Sequence, residues 1–498
     1  MRKFLVLLAA SLFAHTAADS QATAKNKPNI ILFLVDDMGW EDARKYHTPN
    51  IDKLAAGGKV FTNAYANNVC TPTRVSLVTG FNAAHHHITN WTHPEKDHSA
   101  DAPDDQFLPT EWNYNGLSPQ PGIPHTFYAR PLPAILKDAG YFTVHVGKAH
   151  WAAQGTPGVS PYNLGFIVNI SGHAAGHPQS YLSEENYGNL PGKNSAQSVP
   201  DLEEYYQSGT FLTEALTKEA LKAIELPVKN KQPFFLNLAH YAVHVPLMAD
   251  KRFFQAYLDK GLDSAEAQYA SLVEGVDASL GEVMQFLEDR NIDKNTVVIF
   301  LSDNGGLSNS PPRGGESFTH NLPLRAGKGS LYEGGIRVPL VVRYPPLVKA
   351  NSTTAQPVIA EDFFPTVLDL AGITPAAAGT PIDGRSFYNR LKDQGSMDTG
   401  RAFIWHYPNK WKAGDGPAIN YYSAIRKGDW KLVYSLRTRQ SELYNLQADL
   451  GEWHDLAKQY PAKVKELEKA LGQILKSYDA PMPVERSTGI KLPYPGTN

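Results

Sequence analysis

The sequence predicts an α/β protein: a large, mostly parallel or mixed sheet sandwiched by helices, followed by a smaller α+β unit on an antiparallel sheet. Three observations predict it. Uniformly apolar runs, NIILFLV at 29–35 and TVVIFL at 296–301, read as strands buried on both faces. Such runs alternate with stretches of helical periodicity, as a sheet covered on both sides requires. After about residue 400 the pattern changes to short segments that alternate apolar and polar residues.

Taken in order, "NIILFLVDDMGW" (29–40) ends its apolar run on Asp36 and Asp37, at the carboxyl edge of a buried strand. "RPLPAILKDAGYFTVHVGKAHW" (130–151) reads as helix, a stop at Gly140, then strand. "KQPFFLNLAHYAVHVP" (231–246) is a further apolar strand that runs out into polar residues and Pro246. "TVVIFLSDNGG" (296–306) repeats the first pattern, with Asp303 and Asn304 past the strand and glycines to turn the chain. Helical periodicity occupies 211–225, 265–289 and 360–371. The stretches 98–128 and 306–322, rich in Pro, Gly, Asn and Ser, are expected to be long loops near a site. "AIRKGDWKLVYSLRTRQSELYNL" suggests an antiparallel meander and "PAKVKELEKALGQILKSY" a terminal helix, so a boundary falls near 395–400, giving units 25–397 and 398–498.

The first 24 residues have a basic start (Arg2, Lys3), an apolar run from Phe4 to Phe13 and then small residues. That is the layout of a secretory signal peptide, cleaved within 16–24, so the mature chain is expected to be exported, to the periplasm or beyond. No other stretch nears the roughly 20 apolar residues that span a bilayer, and no membrane anchor is expected. Across 498 residues, 42% are hydrophobic and 19% charged, with a net charge of −3, which offers nucleic acid no electrostatic footing. A sulfated or otherwise acidic substrate would need a local basic pocket. Exported proteins use cysteines in pairs, yet this chain has one, Cys70. It is either an inert buried residue or a chemical one.

In open sheets of this kind ligands gather beyond the carboxyl ends of the strands. There, two distant strands offer Asp36 and Asp37, and Asp303 and Asn304. One such pair ordinarily just starts a turn, but two in the same topological position point to a metal. An all-oxygen set suits a hard cation such as calcium or magnesium better than zinc. Basic residues stand at strand ends too: Lys148 and His150 in "VGKAHW", His244 in "VHVP", Lys328 in "RAGKGS". With Arg74 they would make a cationic pocket beside the metal, fit for a tetrahedral oxyanion.

The segment "CTPTRVSLVTG" (70–80) resembles the C-x-P-[ST]-R…TG signature of the type I sulfatases, members of the alkaline phosphatase superfamily. The resemblance extends to "TPNIDKLA", "GYFTVHVGKAHW", "LSDNGG", "LRAGKGSLYEGGIRVP" and "DFFPTVLDLAG", and so to nearly all the mature chain. It implies that a maturation enzyme, formylglycine-generating or anaerobic, oxidises Cys70 to formylglycine (3-oxoalanine), whose hydrate is the nucleophile. It further implies one calcium ion on Asp36, Asp37, Asp303 and Asn304, with the modified Cys70 completing its shell. Arg74 would hold the hydrated aldehyde, Lys148 and Lys328 the sulfate oxygens; His150 would be the base that frees sulfate, and His244, with Lys328, the acid for the leaving oxygen. The implied activity is removal of sulfate from a sulfated carbohydrate, of a galactose or N-acetylgalactosamine type. A phosphatase or phosphonate hydrolase of the same superfamily is the alternative enzyme, and a calcium-stabilised sugar-binding protein the non-enzymatic one. The sequence departs from the family in "GKAH", where Ala149 stands in place of a frequent tryptophan. His173 in "GFIVNISGHAAGH" is a candidate substrate contact, with a structural role as the other reading. "HHHITNWTH" (85–93), "TEWNYN" (110–115), "HAAGHPQSY" (173–181) and "WHYP" (405–408) supply histidines and aromatics for pocket rims or for packing.

Overall fold

A computed structural model describes residues 27–395, 398, 400–412 and 414–497. The segment read as a signal peptide lies outside the described residues, and among those described no helix is long and apolar enough to cross a membrane. The central sheet has eight strands: β1 (Asn29–Val35), β2 (Lys59–Phe61), β3 (Phe142–Gly147), β4 (Val168–Ile170), β5 (Phe234–Ala239), β6 (Thr296–Ser302), β7 (Leu340–Arg343) and β8 (Ser352–Thr354). Their order is β8-β2-β7-β6-β1-β5-β3-β4. β7 runs antiparallel to both its neighbours, and the other pairings are parallel. The sheet is therefore mixed, its four middle parallel strands being those that the apolar runs predict.

Alternation along β1 divides the core. Ile31, Phe33 and Val35 face helices α2 (Leu212–Lys229) and α3 (Ser264–Asp289), with Leu216, Ile224, Leu272 and Val276 in the same cluster. Ile30, Leu32 and Leu34 face the opposite layer, where α1 (Cys70–Thr79) and α4 (Phe363–Leu370) contribute Val75, Val78, Phe364 and Val367. Each such side chain contributes about 1.5–3 kcal/mol when fully buried, so the middle strands are the rigid part of the molecule. That rigidity matters because the chemical groups are carried on their ends.

The C-terminal sheet is the expected meander, β9 (Ala402–Tyr407), β10 (Tyr422–Lys427), β11 (Trp430–Ser435) and β12 (Ser441–Asn445), antiparallel throughout. Helix α5 (Pro461–Ser477) closes one face through Leu467, Leu471 and Leu475. The other face packs Phe403, Trp405 and Val433 against Tyr65, Leu331 and Ile336 of the larger unit. The loop expected at 98–128 includes two short paired strands, Gly116–Ser118 and Thr126–Tyr128. The stretch 306–322 has neither helix nor strand.

Candidate active site

Register brings the site together. Val35 of β1 is level with Ser302 of β6, while Leu34 and Gly147 are both level with Ala239 of β5. Four chains therefore leave the sheet side by side, carrying Asp36 and Asp37, Asp303 and Asn304, Lys148 and His150, and the turn to His244. Gly147 is required there: its φ is 98°, and a Cβ would fall 2.0 Å from the Ala239 carbonyl oxygen. Asp37 (φ 63°) and His150 (φ 51°) hold the left-handed conformation without being glycine, a strain that clusters at functional sites. Cys70 arrives differently, as the first residue of the fully buried helix α1, after an extended Val69. Thr73 Oγ1 accepts the Asn67 N–H at 2.8 Å and ties the incoming chain to the first turn.

The charges interlock. Arg74 donates through Nε to Asp303 Oδ2 at 2.9 Å and through Nη1 to the Lys148 carbonyl at 2.8 Å. Its Nη2 lies 2.8 Å from Asp303 Oδ2 and 3.9 Å from Asp36 Oδ1. Lys148 donates to Asp36 Oδ2 at 2.6 Å. Lys328 donates to Asp37 Oδ2 and to His244 Nε2, both at 2.8 Å. Three carboxylates thus face three fixed cations in a buried space, a pairing that tolerates burial only if each charge is met.

Burial and the neighbouring Asp303 push Asp36 well above the usual carboxylate range. Burial acts the same way on Asp37, but His244 and Lys328 outweigh it and hold Asp37 low. Burial also holds His244 itself well below the usual histidine value. His150 is depressed too, by burial and by Lys148. Burial pushes the Cys70 thiol up, which disfavours the nucleophilic thiolate form.

The histidines differ in which nitrogen carries the proton. His150 Nε2 donates to the Thr92 carbonyl at 2.8 Å, leaving its Nδ1 lone pair 3.4 Å from both Cys70 Sγ and Thr71 Oγ1. His244 Nδ1 donates to the Val245 carbonyl at 3.0 Å, so its Nε2 accepts from Lys328. One histidine points a base at residue 70; the other shares a proton with a lysine.

A cation fits the four oxygen-bearing residues. Asp36 Oδ1 and Asn304 Oδ1 are buried with no hydrogen-bond partner, an unfavourable state that an ion would relieve. Asn304 spends its Nδ2 on Asp37 Oδ1 at 2.8 Å, which turns its carbonyl oxygen to the remaining direction. Ligand atoms of Asp36, Asp37 and His244 also lie within 4.8 Å of one another. His244 is already committed through both ring nitrogens, so the oxygen set is the better cradle, and its chemistry is that of a hard cation.

A cavity of about 670 Å³ opens over this cluster, with Asp37, Cys70, His150, His244 and Lys328 at its base. Of the residues singled out from sequence, Asp36, Arg74, Lys148, Asp303 and Asn304 are buried behind its lining, and His173 does not reach it. Its backbone carbonyl accepts the His150 N–H at 3.1 Å, and its Nε2 is buried without a partner. His177, four residues on, lines the cavity instead, its ring stacked on His244 at 5.7 Å. Trp91 and His93 line the wall, as do Trp411 and Lys412 from the C-terminal unit. Trp405 and His406, by contrast, are buried, bonded to the Ala66 and Pro481 carbonyls. Trp411 and Lys412 carry no signal in the sequence beyond their residue types.

The sulfatase family model matches residues 28–373, and a model for the C-terminal region of N-sulphoglucosamine sulphohydrolase matches 327–479. A sulfatase of Formosa agariphila is 29% identical across 99% of this chain and 98% of its own length. Human N-acetylgalactosamine-6-sulfatase is 30% identical across 78% and 74%. Among solved structures, Ps i-CgsB in complex with k-i-k-neocarrahexaose superimposes with a TM-score of 0.69 at 28% identity, over 90% of this chain and 93% of that one. With its four strand ends and helix-borne cysteine assembled as they are, the chain belongs to the sulfatase family and is a sulfuric ester hydrolase.

Proposed function

We propose that the protein removes sulfate from a sulfated carbohydrate, using formylglycine made from Cys70 and one calcium ion. The observation that carries this reading is the convergence of a buried cysteine, an unprotonated histidine nitrogen, two lysines and an oxygen-only cradle at and just behind one cavity floor. Carbohydrate substrates are supported by the N-acetylgalactosamine-6-sulfatase relatives and by the carrageenan-type oligosaccharide in the Ps i-CgsB complex.

When present, the hydrated aldehyde supplies one hydroxyl to attack sulfur and a second whose deprotonation releases sulfate, and the cation on Asp36, Asp37, Asp303 and Asn304 offsets negative charge. The chain's own residues do the rest. His150 Nδ1, 3.4 Å from Cys70 Sγ, is placed to take a proton from residue 70. Arg74 is held by Asp303 and by the Lys148 carbonyl, and so orients the side of the cavity on which residue 70 reacts. Lys148 and Lys328 present ammonium groups to the sulfate oxygens. Lys328 Nζ and His244 Nε2 share one proton, and that proton goes to the departing sugar oxygen. Export with loss of residues 1–24, maturation by a formylglycine-generating or anaerobic enzyme, and a catalytic unit 25–397 with a C-terminal unit 398–498 belong to the same reading.

The test is mass spectrometry of residue 70 in active protein, together with sulfate release from defined sulfated saccharides. Conversion of the thiol to the aldehyde or its hydrate, with release, is expected. Full activity with an intact Cys70 thiol would overturn the mechanism, and release of phosphate in preference to sulfate would overturn the substrate class.

A further inference from the structure

The cavity has a second pole. Among the described residues that line it, Asp37 is the only carboxylate, and Lys328 already pairs with it. Lys412 at the wall is in ion-pair contact with no carboxylate among the described residues; the negative groups near it are the buried Asp101, which it helps to keep ionised, and Glu95 beside His93. Its neighbour Lys410 lies 3.3 Å from Asp104, which also pairs with Arg437 at 2.7 Å, whereas no ion-pair partner is present for Lys412 among the described residues. Lys412 Nζ stands 6.0 Å from the Trp91 ring centre, and Trp91 lies 6.0 Å from the His93 ring. The His93 Nδ1 accepts the Glu95 N–H at 3.1 Å, which leaves the proton on Nε2 as a donor. Trp411 fixes where this pole sits. It packs flat on Gly329, next to Lys328, so closely that a Cβ there would meet its ring at 2.5 Å. A cation, a neutral donor and aromatic faces thus share a wall with the reaction centre, and nothing in the desulfation chemistry uses them.

Building on the proposed sulfatase reading, we propose that Lys412, with Trp91 and His93, forms a subsite for a second anionic group on the same saccharide. The sugar ring rests on the indole, and a sulfate or carboxylate on the sugar beside the one being desulfated meets the ammonium. The substrate is then a saccharide with at least two negative groups, of which the enzyme removes one and reads the other. A lysine at a cavity wall with no carboxylate in direct contact favours anions over neutral sugars, and its contribution weakens with salt.

The experiment compares three matched oligosaccharides that share one scissile sulfate: one has a second sulfate on the adjoining sugar, one a uronate carboxylate there, and one no further charge. For the wild type, kcat/KM is expected to favour one or both doubly anionic substrates, and raised ionic strength to erase the preference. Lys412→Ala should reduce the doubly-to-singly charged ratio by about 1.5- to fivefold, as an exposed charge contact allows. Lys412→Glu should invert the ratio, and Lys412→Arg should retain it. Whichever anion is favoured identifies the source. Release from all three without discrimination, or an equal loss on all three in Lys412→Ala, would overturn this inference and leave the sulfatase reading standing. No release from any of them by matured wild type would overturn both.

Discussion

His150 and His244 have their protons on opposite nitrogens, and the carbonyls of Thr92 and Val245 decide which. The tautomers set different tasks, so their removal should have different consequences. His244→Ala is expected to slow a sugar sulfate, whose alcohol needs a proton to leave, by roughly 10²–10⁴-fold, and an activated aryl sulfate far less. His150→Ala should slow both alike, with about one equivalent of aryl alcohol released before sulfate appears. Steady-state and burst kinetics on the two substrate types would check this; equal damage to both by His244→Ala would mean the roles are misassigned. Asp303 serves the cation cradle and also Arg74. Asp303→Asn keeps an acceptor for the guanidinium but removes a charge, so bound calcium and turnover should fall together while the fold persists. Elemental analysis and circular dichroism read the two separately, and stoichiometric zinc without calcium would contradict the assignment.

At the level of elements, the loop 306–322 that walls the cavity owes its position to one buried arginine. Arg313 donates to Glu266 through Nε at 3.0 Å and Nη2 at 2.6 Å, and to the Leu307 carbonyl at 3.0 Å, while lying 3.7 Å over the Tyr269 ring. Tyr269 in turn donates to Asp42 Oδ2 at 2.6 Å with its hydroxyl 3.2 Å from the Asp37 carbonyl, so one packed stack joins the loop to the cradle. Glu266 belongs to the first turn of α3, capped by Asp263, whose Oδ1 accepts the Ala265 and Glu266 N–H groups at 3.0 Å. Asp263→Ala should cost about 1 kcal/mol, within the usual 0.5–2 for a lost N-cap, seen as a lower denaturant midpoint. Asp263→Asn or Ser should recover most of it.

At the level of the molecule, the two sheets are joined by buried charge as well as by apolar packing. Lys431 of β11 meets Glu333 Oε1 at 3.0 Å and Glu452 Oε1 at 2.8 Å, all three fully buried. Glu333 stands shortly after Lys328, so this contact ties the C-terminal sheet to a loop of the active site. Lys431→Met would leave two buried carboxylates short of a cation and is expected to cost about 3–5 kcal/mol. Burial, partly opposed by Lys431, already raises Glu452 to about 7. A carboxyl raised on folding favours the folded state below its unfolded pKa and loses that advantage as pH rises through the folded value. The damage from Lys431→Met should therefore be smaller at pH 5 than at pH 8, where Glu452 must carry its charge. Chemical denaturation at both pH values is the measurement; a pH-independent loss would mean that Glu452 does not titrate in this range.

The sequence by itself determined the class of fold and the inventory of the site. Buried parallel strands must be apolar on both faces, so the runs at 29–35, 234–239 and 296–302 were legible without coordinates, and so were the polar residues at their ends. Cys70, Asp36, Asp37, Asp303 and Lys328 stood out because their types in those positions have a chemical meaning that packing does not supply. The short strands β2, β4, β7 and β8 were not legible, because three or four residues carry too little periodicity to tell a strand from a loop. The antiparallel course of β7 is likewise a property of its neighbours. Helix α1 hid because full burial erases the polar face that marks an amphipathic helix. Tertiary structure alone decided register, and with it the levelling of four strand ends that makes separate residues one cluster. It also decided that His177 and not the His173 side chain faces the cavity, and that Trp411 and Lys412 reach it from another unit. Those outcomes depend on how distant segments meet, and no local pattern of residues encodes a meeting between chains hundreds of positions apart.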